Sequence, residues 1–195
     1  MKLSSSNLLM FLLPIIVTPI LSRIYSQESY GEWGIFSSTF MIINSILFLS
    51  YENAIVKVRE EREVATLCKA CVIVASCMIL FACIAFTTGK FIGIDFFIGF
   101  PHFDLLVLLL LITIFSQVLY NLSNRYEKYS LMAITNIIQG TAQATFRLLF
   151  SIFHQINGLI AGNVAAQIMT IISYSKGLKH QVAQIYKTLA CSSIT

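Results

Sequence analysis

Six stretches of this chain, each near the length of a membrane-crossing helix, contain no Asp, Glu, Lys or Arg. They are Leu3–Ser22, Trp33–Tyr51, Ala70–Gly89, Leu105–Asn124, Tyr129–Phe146 and Gln155–Ser175. A bilayer core about 30 Å thick is crossed by about 20 residues at a rise of about 1.5 Å each. One such run could be a buried helix of a water-soluble fold. Six runs in 195 residues leave almost no polar surface to solvate one. Only 11% of residues are charged, against about 25% in an average soluble domain. Backbone groups in lipid must be bonded internally, which leaves helices or a closed barrel. Barrel strands run about 10 residues and alternate in polarity. These runs are longer and apolar all round, so the sequence predicts an all-α polytopic membrane protein of six transmembrane helices.

Basic residues fall unevenly on the loops. One side carries ten: Lys2, Lys57, Arg59, Arg62, Lys69, Arg125, Lys128, Lys176, Lys179 and Lys187. The other carries three, Arg23, Lys90 and Arg147. Lys and Arg favour the cytoplasmic side. The expected topology has both termini in the cytoplasm, three hairpins pointing outward, a six-helix lobe over residues 1–175 and a short cytoplasmic tail over 176–195. The net charge of +4 is accounted for by orientation and gives no reason to expect nucleic acid. The first run ends Thr18-Pro19-Ile20-Leu21-Ser22-Arg23 with no small-residue cleavage pattern, so it reads as a retained helix and not a signal peptide.

No catalytic constellation is assembled, and neither a metal nor a cofactor is expected. Cys68-x-x-Cys71 lacks a second pair, and Cys68, Cys71, Cys77 and Cys83 read as packing residues of the third helix. The sequon Asn121-Leu122-Ser123 sits at the cytoplasmic end of the fourth helix and reads as a chance match. His102, His154 and His180 are scattered. Pro14 and Pro19 are expected to bend the first helix, as a passive kink or a moving element. Tyr25, Tyr30 and Trp33 suit an interfacial aromatic belt. The charge run Lys57–Glu63 suggests a solvated helical extension with pairs such as Arg59 with Glu63.

Polar residues at membrane depth are the functional candidates. Arg147 lies on the fifth helix, read as 129–153, about 27 Å along from Tyr129 at about 1.5 Å per residue. It is either a snorkelling arginine or a cavity cation, and Arg23 carries the same ambiguity. Gln139 and Gln143 share a helix face with Asn136. They are either interhelical glue or a cavity wall. Gly158 and Gly162 form G-x-x-x-G, a close helix-packing signal.

Three parts of the sequence resemble a known family. Pro19-Ile20-Leu21-Ser22-Arg23-Ile24-Tyr25-Ser26-x-Glu28-x-Tyr30-Gly31 looks like the end of helix one in Wzx-type polysaccharide (O-antigen) flippases, relatives of the MATE exporters. Tyr51-Glu52-Asn53-Ala54-Ile55-Val56 resembles the family signature after helix two, and Gln117–Ser130 with Asn136–Gln139 is similar to its passage from helix four to five. The resemblance implies translocation of an undecaprenyl-diphosphate-linked oligosaccharide across the bacterial inner membrane, in lipopolysaccharide and related polysaccharide biosynthesis. It implies a cationic cavity between two six-helix lobes, with Arg23 on the family motif. Arg147, Gln139 and Gln143 are added as substrate-binding candidates on their chemistry alone.

The six helices make one lobe, corresponding to the N-terminal half of a family member. The expectation is a half that pairs with a second lobe or a second copy, or a truncated product. Expected partners are the lipid-linked oligosaccharide and membrane lipid. A MATE-like exporter lobe is the transporter alternative, disfavoured because no Asp or Glu interrupts the six runs. A non-transporting membrane remnant that packs against partners is the alternative from another class. A membrane glycosyltransferase would want acidic or histidine pairs on large outer loops, and the longest outer loop offers only Asp95, His102 and Asp104.

Overall fold

The structure is a computed structural model that describes residues 2–47, 54–58, 61–100, 102–151 and 157–179. Its elements are all helices: α1 Lys2–Ile24, α2 Gln27–Leu47, α3 Ala54–Lys57, α4 Glu61–Ile92, α5 Asp95–Ile98, α6 Phe103–Arg125, α7 Tyr129–Phe150 and α8 Gly158–Gly177. The all-α reading holds, and a long helix overlaps each charge-free run. Among the described residues three segments are long and apolar enough to cross a membrane, Glu63–Ile92, Phe103–Arg125 and Gly158–Gly177, and Ile15–Ile24 is a shorter apolar one. That fits a membrane-embedded protein.

Side-chain placement carries the same message. Ile15, Ile16, Met41, Ile73, Leu80 and Phe81 lie on the surface, and Phe91 is 94% exposed. Such a surface is costly in water and ordinary in lipid. The interior, by contrast, takes up hydroxyls and amides. Thr113, Ser116, Ser123 and Thr170 are buried. Each returns its proton to a backbone carbonyl three or four residues back: Thr113 to Leu109, Ser116 to Thr113, Ser123 to Leu119 and Thr170 to Ala166. Satisfying polar groups within their own helix is what a water-free surrounding demands.

The helices pack as a curved row. α7 lies between α1 and α8, α8 also packs on α6, and α6 packs on α4. α2 touches α4, α6 and α8 more lightly. Consecutive long helices alternate in direction, so loops gather at two ends. At one end the α1–α2 turn meets the end of α7 and the start of α8. There Phe86 contacts Phe97, Phe100 and Phe103 at 4.8, 5.1 and 4.4 Å between ring centroids. At the other end Arg125 donates to the carbonyls of Ile55 and Val58. Beside it Lys128 Nζ donates to the Gly177 carbonyl at 2.8 Å, capping the C-terminus of α8. Glu127, at φ 52°, makes the left-handed residue that turns α6 into α7.

Several boundaries differ from the charge map. α2 starts at Gln27, six residues before the charge-free run, so Glu28 and Glu32 stand inside a helix. Ser26 explains the early start, accepting from the Ser29 N–H at 3.2 Å as an N-cap. Glu28 in the first turn complements the helix dipole. The described part of the run Lys57–Glu63 divides between two helices, Lys57 ending α3 and Glu61, Arg62 and Glu63 opening α4. α1 stays helical through Pro14 and Pro19. Cys68 and Cys71 are buried, and Asn121, donating its amide to the Gln117 carbonyl, is buried within α6. Tyr51-Glu52-Asn53, Arg59, His154, His180 and the tail 180–195 lie outside the described residues.

Candidate functional site

The α7–α8 interface is an antiparallel ladder in steps of about one turn. Thr135 and Ser173 share a hydrogen bond at 2.8 Å. Gln139 Nε2 donates to Gln167 Oε1 at 3.1 Å, and Gln143 Nε2 to Asn163 Oδ1 at 3.1 Å. Gln167 Nε2 in turn reaches Ser116 Oγ on α6 at 2.8 Å. Gln139 and Gln143 thus bond α7 to α8. Their partners had a readable signal of their own, since Asn163 and Gln167 are also four residues apart on one helix face.

The next rung up the ladder is Arg147 against Gly162. A Cβ on Gly162 would come within 2.8 Å of Arg147 Cγ and 2.9 Å of its backbone nitrogen. One turn on, a Cβ on Gly158 would come within 3.0 Å of the Phe150 backbone and collide with the Tyr25 hydroxyl. The G-x-x-x-G pair thus serves close approach, with Arg147 and Tyr25 filling the space that it leaves.

Arg147 is only 9% exposed. Its guanidinium lies over Trp33 with 4.6 Å from Cζ to the ring centroid. Tyr25 Oη donates to the Arg147 carbonyl at 2.6 Å. Burial raises the Tyr25 hydroxyl above the ordinary tyrosine value, with the positive charge of Arg147 opposing that rise. Tyr30 lies one turn before Trp33 on α2. Two atoms of this cluster, Arg147 Nε and Tyr30 Oη, are buried with no hydrogen-bond partner among the described residues.

Asn157 closes the socket. Its Oδ1 accepts from the Leu159 N–H at 3.1 Å and caps α8. Its Nδ2 donates to the Ser29 carbonyl at 2.8 Å and to Glu32 Oε2 at 3.0 Å. Glu32, Asn157 and the Arg147–Trp33 stack are the site features that the charge map missed. The first was assigned to a loop and the others depend on which helices meet.

The sequence candidates separate as follows. Arg147 is the centre of the cluster, and Gln143 and Gln139 lie one and two turns below it on the same helix face. Arg23 is exposed in the last turn of α1, at the same end but outside the socket. Of the Arg23 stretch, Tyr25 is the side chain that bonds to Arg147, and Tyr30 stands one turn before Trp33, which stacks on that arginine. Among the described residues no group of three or more His, Cys, Asp or Glu side chains is placed to hold a metal ion. No family model, curated protein or solved structure matches this chain.

Proposed function

We propose that this chain is one lobe of a flippase that carries a diphosphate-linked oligosaccharide lipid across the bacterial inner membrane. The six long helices cross the bilayer, both termini face the cytoplasm and the Arg147 end faces outward. The observation that carries the reading is a buried arginine without a carboxylate partner among the described residues, held at one end of the lobe by Tyr25 of the flippase-like stretch. A buried cation costs several kcal/mol unless it is paired. An anionic cargo supplies the missing charge, and guanidinium suits phosphoryl oxygens geometrically.

Each residue then has a task. Arg23, exposed beside the headgroup region, meets the diphosphate first. Arg147 holds it deeper. Gln139 and Gln143 keep α8 in register so that Arg147 stays aligned, and Asn157 fixes the α8 terminus against α2. The chain transports and performs no bond-making chemistry. A second lobe, here a second copy, completes the cavity, because alternating access needs two faces.

The test is export in a bacterium deleted for its oligosaccharide flippase, with membrane crosslinking on the same cells. The expected result is a crosslinked dimer and restored surface polysaccharide, lost with Arg23→Ala. A crosslinked dimer that restores nothing overturns the reading, and export that survives Arg23→Ala removes the role given to Arg23.

A further inference from the structure

We infer that Arg147 Nε and Tyr30 Oη form a two-donor binding site for a phosphoryl oxygen, with Trp33 as its cover. The inference deepens the flippase reading and rests on it for the biological source of the ligand.

Both atoms can donate, and both are buried without a partner. Buried polar groups in native proteins are nearly always bonded, so an orphan asks for an explanation. A trapped water would satisfy the hydrogen bonds and leave the charge uncompensated. An anionic oxygen satisfies both. The carboxylate on this stretch of α2, Glu32, accepts from Asn157 Nδ2. Trp33 occupies the face of the guanidinium, whereas hydrogen bonds leave a guanidinium in its plane. The stack therefore leaves the Nε–H unused, and the edge becomes accessible once Trp33 shifts.

Access comes from the α2 side. Gly31 and Gly34 flank Trp33, and a Cβ built on either meets nothing within 4 Å. Trp33 itself is only partly buried. A ligand entering there shifts Trp33, the sole tryptophan of the chain, so its fluorescence reports directly on the site.

The experiment uses the full chain in lipid nanodiscs and follows Trp33 emission. One arm titrates inorganic pyrophosphate onto phosphatidylcholine nanodiscs, with chloride at equal ionic strength as the control. The other replaces a growing fraction of the lipid with phosphatidic acid and adds no free anion. The expected result is a saturable change in at least one arm, weakened at least tenfold in Tyr30→Phe and abolished in Arg147→Met. Response in the first arm marks a free or solvent-borne phosphoryl group, and response in the second marks a lipid headgroup. No saturable change in either arm overturns the site, as does a change undiminished in Tyr30→Phe. Tyr30→Phe removes only an unpartnered hydroxyl, so it keeps the test decisive should Arg147→Met fail to fold. Anion binding without polysaccharide export leaves the site standing and removes the flippase role. Export without any anion response removes the site alone.

Discussion

Two arginines sit at opposite ends of this lobe and are treated in opposite ways. Arg125 closes the α6 end by donating to the carbonyls of Ile55 and Val58, which ties α3 to α6. Arg147 is more deeply buried, stacks on Trp33 and keeps Nε unpartnered. A cation whose donors are consumed by backbone carbonyls is a clamp. A cation that is buried and left short of a partner lowers stability, and its presence needs a reason outside the fold. The neighbouring tyrosines repeat the contrast. Tyr25 is bonded to a carbonyl, and Tyr30 is bonded to nothing.

Arg125→Met is the largest predicted loss. It removes charge-assisted bonds and orphans two carbonyls, costing about 3 kcal/mol in unfolding followed in detergent micelles. A loss below about 1 kcal/mol would erase the contrast with Arg147. Gly162→Ala comes next. Its Cβ would press on the Arg147 backbone at 2.9 Å, which cannot swing aside, so about 2 kcal/mol is expected. The same unfolding measurement checks it, and wild-type stability would mean that α7 and α8 separate easily.

The tyrosine pair gives a finer separation. Tyr25→Phe loses a made hydrogen bond and about 1 kcal/mol, whereas Tyr30→Phe changes stability by less than about 0.5 kcal/mol or raises it. Equal losses would show that Tyr30 is bonded in the protein. Glu127→Gly has the opposite sign. It relieves a left-handed residue at φ 52° and should raise the melting temperature, by about 1 kcal/mol in stability.

The helices were legible because charge is expelled from each long run. Their starts were less so. Gln27 opens α2 because Ser26 caps it and Glu28 suits the dipole, and a search for charge-free runs discards both signals. Asn157 before Gly158 was a readable cap of the same kind. At the site the components were visible one at a time: Arg147, the Gln139–Gln143 stripe, the aromatic loop and G-x-x-x-G. Their convergence was not, because it requires α1, α7 and α8 to be neighbours across more than a hundred residues of chain. Arg23 illustrates the limit from the other side. It belongs to the flippase-like stretch, yet the tyrosines that follow it are what the fold draws inward.

The central claim is that Arg147 is kept for a ligand and not for the fold. The direct measurement is the unfolding free energy of Arg147→Met against the wild type in identical anion-free micelles. The methionine keeps the stem that packs on Gly162 and discards the buried charge. The account predicts a gain of about 1 kcal/mol, the relief of desolvation outweighing the lost stack on Trp33. A loss of about 3 kcal/mol, matching Arg125→Met, would make Arg147 a second clamp and contradict the account.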